Sequence, residues 1–336
     1  MKALKALLSL IFTMLMVVSL AYAVEIGPNP TSTLLNGDGP FSVSSSRVSS
    51  LVLGFGGGTI YYPTTAGQYG VIAVCPGFTG TSSSISWFAR RLATHGFVTM
   101  AMNTNTIYDL PSSRATQLAA ALRYMINSAS STIRSRIRSA DRGVAGHSMG
   151  GGGTLIASAN DATLKVGIPL TPWNTYTSFS SVRVPQIIFG ADGDTIAPYA
   201  SHARPFYNSL VYPERAYALL NAATHFTPNS TDERIGRYGV AFAKRFVDGD
   251  TVAPDASHAR PFYNSLVYPE RAYALLNGAT HFTPNSTDQR IGRYGVAFAK
   301  RFVDGDTRYN EFLCGASHTS YATSSRFDTY LSTCPY

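Results

Sequence analysis

The 336-residue chain lacks an apolar run long enough to cross a membrane: the N-terminal run is too short and no later segment is a better candidate, since a spanning helix needs roughly 20 consecutive apolar residues. Acidic residues are few, 19 against 27 Lys and Arg, for a formal net charge of +8. The excess sits mostly on isolated arginines, with no block of like charge. That excludes a basic arm for nucleic acid and leaves a solvated basic surface as the simpler reading, with salt-sensitive adsorption to anionic surfaces as the alternative. Three cysteines allow no more than one bridge and a leftover thiol. His95, His202, His258 and His318 have no acidic or cysteine cluster at metal-ligand spacing, so neither a metal nor any other cofactor is expected.

What is present begins with a leader. Lys2 and Lys5 precede the apolar run "LLSLIFTMLMVVSL", which ends in Ala21-Tyr22-Ala23. This pattern predicts a secretory signal peptide over residues 1–23 and a mature chain from Val24, secreted to the periplasm or the exterior. In an exported chain Cys314 and Cys334, flanking the last expected strand, are placed to tie down the C-terminus, and Cys75, ending an apolar run, reads as a small buried hydrophobe.

Short β-branched runs ("YGVIAVC", "FVTMAMN", "RGVAG", "KVGIPL", "PQIIFG", "RAYALLN") alternate with helical periodicities, and "FSVSSSRV" and "GGTIYYP" read as antiparallel strands ahead of them. The expected fold is α/β, one mostly parallel sheet flanked by helices, with residues 24–336 forming a single domain. Within it "DGDT" stands at Asp192, Asp248 and Asp304. The units 192–247 and 248–303 differ only at Ile196/Val252, Tyr199/Asp255, Ala222/Gly278 and Glu233/Gln289. One nearly unchanged copy indicates a tandem duplication rather than a solenoid, whose several repeats diverge.

The chemistry starts at Gly146-His147-Ser148-Met149-Gly150, a G-x-S-x-G elbow between an apolar strand and a small-residue helix. A serine hydroxyl is a weak nucleophile and needs a base and an oxyanion site. The Met149 amide offers one donor; Phe78, in "VCPGFTGTSSS" after an earlier strand, offers a second. In the order Ser, Asp, His, the acid falls on Asp194, just past "PQIIFG", with Asp192 as rival or loop cap. The base falls on His225, after "RAYALLN". His147, on the elbow itself, reads as packing near the turn.

The chain resembles the bacterial cutinase-like polyester hydrolases, a group of the α/β-hydrolase fold that includes enzymes acting on poly(ethylene terephthalate). The likeness runs through "GPNPT", "GFGGGTIYYP", "CPGFTGT", "GHSMGGGGTL", "LTPW", "GADGDTIAP", "ATHFTPN", "RFVDGDTRYNEFLC" and "STCPY", nearly the whole mature chain. The resemblance implies Ser148 as nucleophile, Asp194 as acid, and Phe78 and Met149 as oxyanion donors. It further implies Trp173 as an aromatic wall for a substrate ring and a Cys314–Cys334 disulfide. Phe78, Met149 and Trp173 would line an apolar surface cleft that takes aromatic or aliphatic acyl groups by burial. No lid-like insertion separates the elbow from Asp194, so a polymer can reach the serine. Polyesters and acyl esters are the expected substrates; a general lipase or carboxylesterase, or an inactive polymer- or lipid-binding variant, are the alternatives.

The duplication leaves the histidine open. Both copies carry "RAYALLN" ahead of "ATHFTPNSTD", so His225 and His281 are both candidates. Whichever strand pairs beside "PQIIFG" sets its histidine over Ser148; a strand one place further out would be displaced by about 4.8 Å. His225 is favoured because an unbroken strand–helix–strand unit joins it to Asp194, although Gly278 suits a left-handed turn better than Ala222. The spare copy is expected to extend or flank the sheet edge, or to be a segment through which otherwise monomeric chains swap into a dimer.

Overall fold

The computed structural model describes residues 26–28, 32–248, 272–277, 279, 287–302, 306–323, 325–332 and 334. The leader and His281 lie outside the described residues. Eight strands form the main sheet: β1 (Val43–Val48), β2 (Gly58–Pro63), β3 (Tyr69–Cys75), β4 (Phe97–Met102), β5 (Ile137–His147), β6 (Val166–Leu170), β7 (Gln186–Ala191) and β8 (Arg215–Leu220). Their order is β1-β2-β4-β3-β5-β6-β7-β8. The β1–β2 and β2–β4 pairs are antiparallel and the rest parallel, as the strand–helix alternation predicts. The chain leaves β3 for β4 on one side and returns to β5 on the other, so a crevice opens at their carboxyl ends, where open α/β sheets carry their sites.

Helices α1 (Ser82–Thr94), α2 (Pro111–Asn127), α3 (Met149–Asn160), α4 (Ala203–Ser209) and α5 (Glu233–Phe246) cover the two faces. Alternation along β3 shows why its apolar run is continuous. Val71, Ala73 and Cys75 pack on one side with Leu118 and Leu122 of α2 and Leu155 of α3. Ile72 and Val74 pack on the other with Phe88 and Leu92 of α1 and Val240 and Phe242 of α5. A parallel strand buried on both faces carries no polar alternation. Asp232 caps α5, accepting from the Arg234 and Ile235 amides.

The two copies are used differently. β8 pairs with β7 from Gln186↔Arg215 to Ala191↔Leu220. The equivalent strand of the second copy, β9 (Ala272–Leu276), does not extend this sheet; it pairs antiparallel with β10 (Phe327–Ser332) in a separate two-stranded sheet. The helix of the second copy, α6 (Gln289–Phe302), is correspondingly uncovered: Val296 is 56% exposed, whereas its counterpart Val240 in α5 is fully buried. A short helix, α7 (Ala316–Tyr321), and the Cys314–Cys334 disulfide complete the C-terminal segment.

Asp248, the first residue of the second unit, is locked to the body. Its side chain is fully buried and accepts from Lys244 Nζ (2.6 Å) and Arg138 Nη2 (2.8 Å). Removing one partner of a buried ion pair strands the others in low dielectric. Asp248→Ala is therefore expected to destabilise the fold by about 3–5 kcal/mol, read as a lowered midpoint in urea unfolding.

Candidate active site

Ser148 stands at the end of β5 with φ 53° and ψ −119°, a left-handed conformation that turns the strand sharply into α3. The flanking glycines are steric requirements. A Cβ on Gly146 would lie 2.4 Å from the Gly150 carbonyl oxygen, and one on Gly150 would lie 2.4 Å from that of Pro76. Only bare backbone lets the elbow pass so close to the loop after β3.

His225 joins the serine to the acid. Ser148 Oγ lies 2.8 Å from His225 Nε2, and His225 Nδ1 lies 2.8 Å from Asp194 Oδ2. All three side chains are buried. With Nδ1–H donating to the carboxylate, Nε2 is left to accept from the hydroxyl. The other Asp194 oxygen, Oδ1, accepts from the Ile196 and Ala197 amides at 2.9 and 2.7 Å. Burial pushes the Asp194 carboxyl up, but the bonds from His225 and these amides outweigh it and hold its pKa below the ordinary carboxylate value. Asp192, its rival in the sequence, instead accepts from the amides of Ala222 and Ala223 and caps the turn before His225.

That turn holds Ala222 at φ 50°, the left-handed region in which alanine is strained and glycine is not. The second copy has Gly278 at this point. Ala222→Gly is expected to stabilise the protein by about 1 kcal/mol, seen as a Tm a few degrees higher by calorimetry.

Two further residues hold the histidine: His147, read from the sequence only as packing near the turn, and Thr171, which the sequence did not mark. His147 donates from Nε2 to the His225 carbonyl oxygen (2.8 Å), to which Thr171 Oγ1 also donates (3.2 Å). Burial, helped by the neighbouring His225, lowers the His147 pKa to about 3, so it remains a neutral donor. Nothing in the order of residues signals this; the contact spans 78 positions. Arg114, fully buried, is another residue that the sequence did not mark. It donates to the carbonyls of Pro76 (2.9 Å), Ile107 (3.0 Å) and Asp109 (2.7 Å), and Ile107 also accepts from the Thr79 amide. The loop bearing Phe78 is thereby pinned from beneath.

A cleft of about 360 Å³ opens over Ser148 and His225, with Phe78, Ile196, Phe226 and Asn229 among its walls. Phe78 is half exposed, its ring 5.7 Å from that of Tyr108. Met149 opens α3 beside the serine, and neither it nor Trp173 is part of the cleft wall. The Trp173 amide donates to the Ser148 carbonyl oxygen (2.9 Å), and its ring stacks on His202 at 6.3 Å. Among the described residues there is no cluster of His, Cys, Asp and Glu that could hold a metal ion.

A serine on a strand–turn–helix elbow, bonded through histidine to an aspartate at the end of a neighbouring strand of a mostly parallel sheet, defines an α/β hydrolase. Within that class the chain belongs to the PET hydrolase-like family of carboxylic ester hydrolases: the family model described as "PETase: PET hydrolase-like" matches residues 18–252 and again 249–335. The break falls where the two units join. The chain is 46% identical over 314 residues to cutinase est1 of Thermobifida alba, covering 93% of this chain and 87% of that one. It is likewise 46% identical over 319 residues to cutinase 2 of Thermobifida cellulosilytica, 94% of this chain and all of that one. A bis(hydroxyethyl) terephthalate hydrolase of Streptomyces coelicolor is 42% identical over 316 residues, 93% of this chain and 82% of that one.

Proposed function

We propose that the protein is a secreted serine esterase that hydrolyses polyesters, cutin-like or aromatic, and short-chain acyl esters through an acyl-enzyme. The observation that carries the reading is His225 bridging Ser148 and Asp194 at 2.8 Å on each side. His225 takes the Ser148 proton as Oγ attacks the ester carbonyl, and the negative charge on the carbonyl oxygen is held by the Phe78 and Met149 amides. The resulting imidazolium, stabilised by Asp194, returns the proton to the departing alcohol. Water then attacks the acyl-serine by the same route in reverse and releases the acid. Kinship to cutinases and to a terephthalate-ester hydrolase supports the substrate class, as does a cleft walled by Phe78, Ile196 and Phe226. We assign Trp173 to the binding of a substrate ring beside the cleft, residues 1–23 to an export signal, and residues 24–336 to one domain carrying the extra unit. Among the described residues no helix is long and apolar enough to cross a membrane. His281 is the alternative base, and a monomer is the expected state, with a swapped dimer as its alternative.

Release of soluble acid from a polyester film, together with cleavage of a short-chain p-nitrophenyl ester, tests the reading. Cleavage of the soluble ester with an untouched film would make the protein a general carboxylesterase. Failure on both, in folded protein, would leave a binding protein.

A further inference from the structure

The two copies share all but four of their residues but keep different company, and each lacks what the other has. In the second copy the C-terminal segment is held at defined points. Arg290 Nη1 donates to the carbonyls of Asn277 (2.6 Å) and Arg326 (3.0 Å), and β10 lies along β9. Arg293 Nη2 donates to the Ser317 carbonyl (3.1 Å), and its guanidinium lies 4.3 Å over the Tyr321 ring. Tyr294 meets His318 Nδ1 through its hydroxyl at 2.8 Å and packs its ring on Phe327 and Tyr330.

Every residue of this holding set recurs 56 positions earlier, as Asn221, Arg234, Arg237 and Tyr238, beside the strand β8 that repeats β9. The local geometry recurs as well. Asp232 pairs with Arg234 as Asp288 pairs with Arg290 (2.6 and 2.7 Å), and Arg234 Nη1 donates to the Asn221 carbonyl at the same 2.6 Å. Among the described residues nothing occupies the place of Arg326, and no strand pairs with the outer edge of β8. The Nε atoms of both Arg237 and Arg293 are buried without a partner, but among the described residues only Arg293 has an Nη on a carbonyl.

We propose that the outer edge of β8, with Arg234, Arg237 and Tyr238 of α5, is a second seat for this chain's own C-terminal segment, Asp306 to Cys334, which partitions between the two copies. The contacting side chains are the same in both seats, so the segment's direct contacts do not discriminate between them. An open edge strand also favours a strand that completes it. In the second seat β8, which leads directly into the His225 turn, would be paired on both sides. The proposal is independent of the catalytic reading.

Hydrogen exchange on the full chain tests it. Peptides 215–224 and 271–280 are distinguishable because Ala222 is replaced by Gly278 in the second copy. Arg293→Ala with Tyr294→Ala, which weakens the present seat, should leave the C-terminal segment resistant to protease and slow exchange in β8 about tenfold or more. The mirror variant, Arg237→Ala with Tyr238→Ala, should leave β8 exchanging as in the parent, and all four changes together should release the segment to protease. Unchanged hydrolysis of a soluble ester by the first variant shows that the body is folded. A first variant whose segment becomes protease-sensitive while β8 exchange is unchanged overturns the proposal. So does protection of β8 that appears only with a dimer in light scattering, since the occupant would then come from a second copy.

Discussion

Ser148→Ala is expected to lower kcat/KM for a short-chain p-nitrophenyl ester by about 10⁵-fold or more, with the unfolding midpoint within about 1 kcal/mol of the parent. The change removes one oxygen. Its backbone φ of 53° is a cost that serine already bears, so alanine adds little strain. What disappears is the atom proposed to attack. The amides of Phe78 and Met149, the proposed oxyanion donors, would still stabilise an oxyanion formed by water, which leaves a residual rate well above the uncatalysed one. A serine-directed phosphonate should label the parent in stoichiometric amount and this variant not at all. Normal turnover by the alanine variant would mean that the nucleophile lies elsewhere.

The second large effect separates the two histidines. His225→Ala should lose about as much activity as Ser148→Ala, because nucleophile and base act as one unit. His281→Ala should stay within about twofold of the parent, since β9 is not in the main sheet and the proton acceptor must sit within hydrogen-bond reach of Ser148 Oγ. His225 is also held from behind, through its carbonyl, by His147 and Thr171. Comparable losses from both substitutions, measured by initial rates on the same soluble ester, would show that both copies serve as base. The seated copy is the one that carries the strain at Ala222, about 1 kcal/mol; either copy offers the same apolar side chains for burial, and the copy that follows β7 directly is the one that pairs with it.

Most of the architecture was legible because it rests on local patterns. Continuous apolar strands, helical periodicities and a glycine-flanked serine each depend on a few neighbouring residues, whereas the order of the strands in the main sheet came only with the structure. Asp192 and Asp194 were harder to tell apart. Two residues apart at the end of one strand, they have similar local signals, and only the approach of the 222–225 turn decides which one caps a backbone and which one meets the imidazole. Arg114 and His147 were illegible as site residues because their partners are carbonyl oxygens of remote loops, and every residue type offers such an oxygen.

By itself the sequence determined the elbow, the spacing of the duplication and the two strands that could carry the histidine. Chain order favoured the first of those strands without excluding the second, because identical residues have identical propensities and bury identical surfaces. Tertiary structure decided the pairing along that connectivity: the copy joined directly to β7 pairs with it, and the copy joined directly to the C-terminal segment pairs with β10.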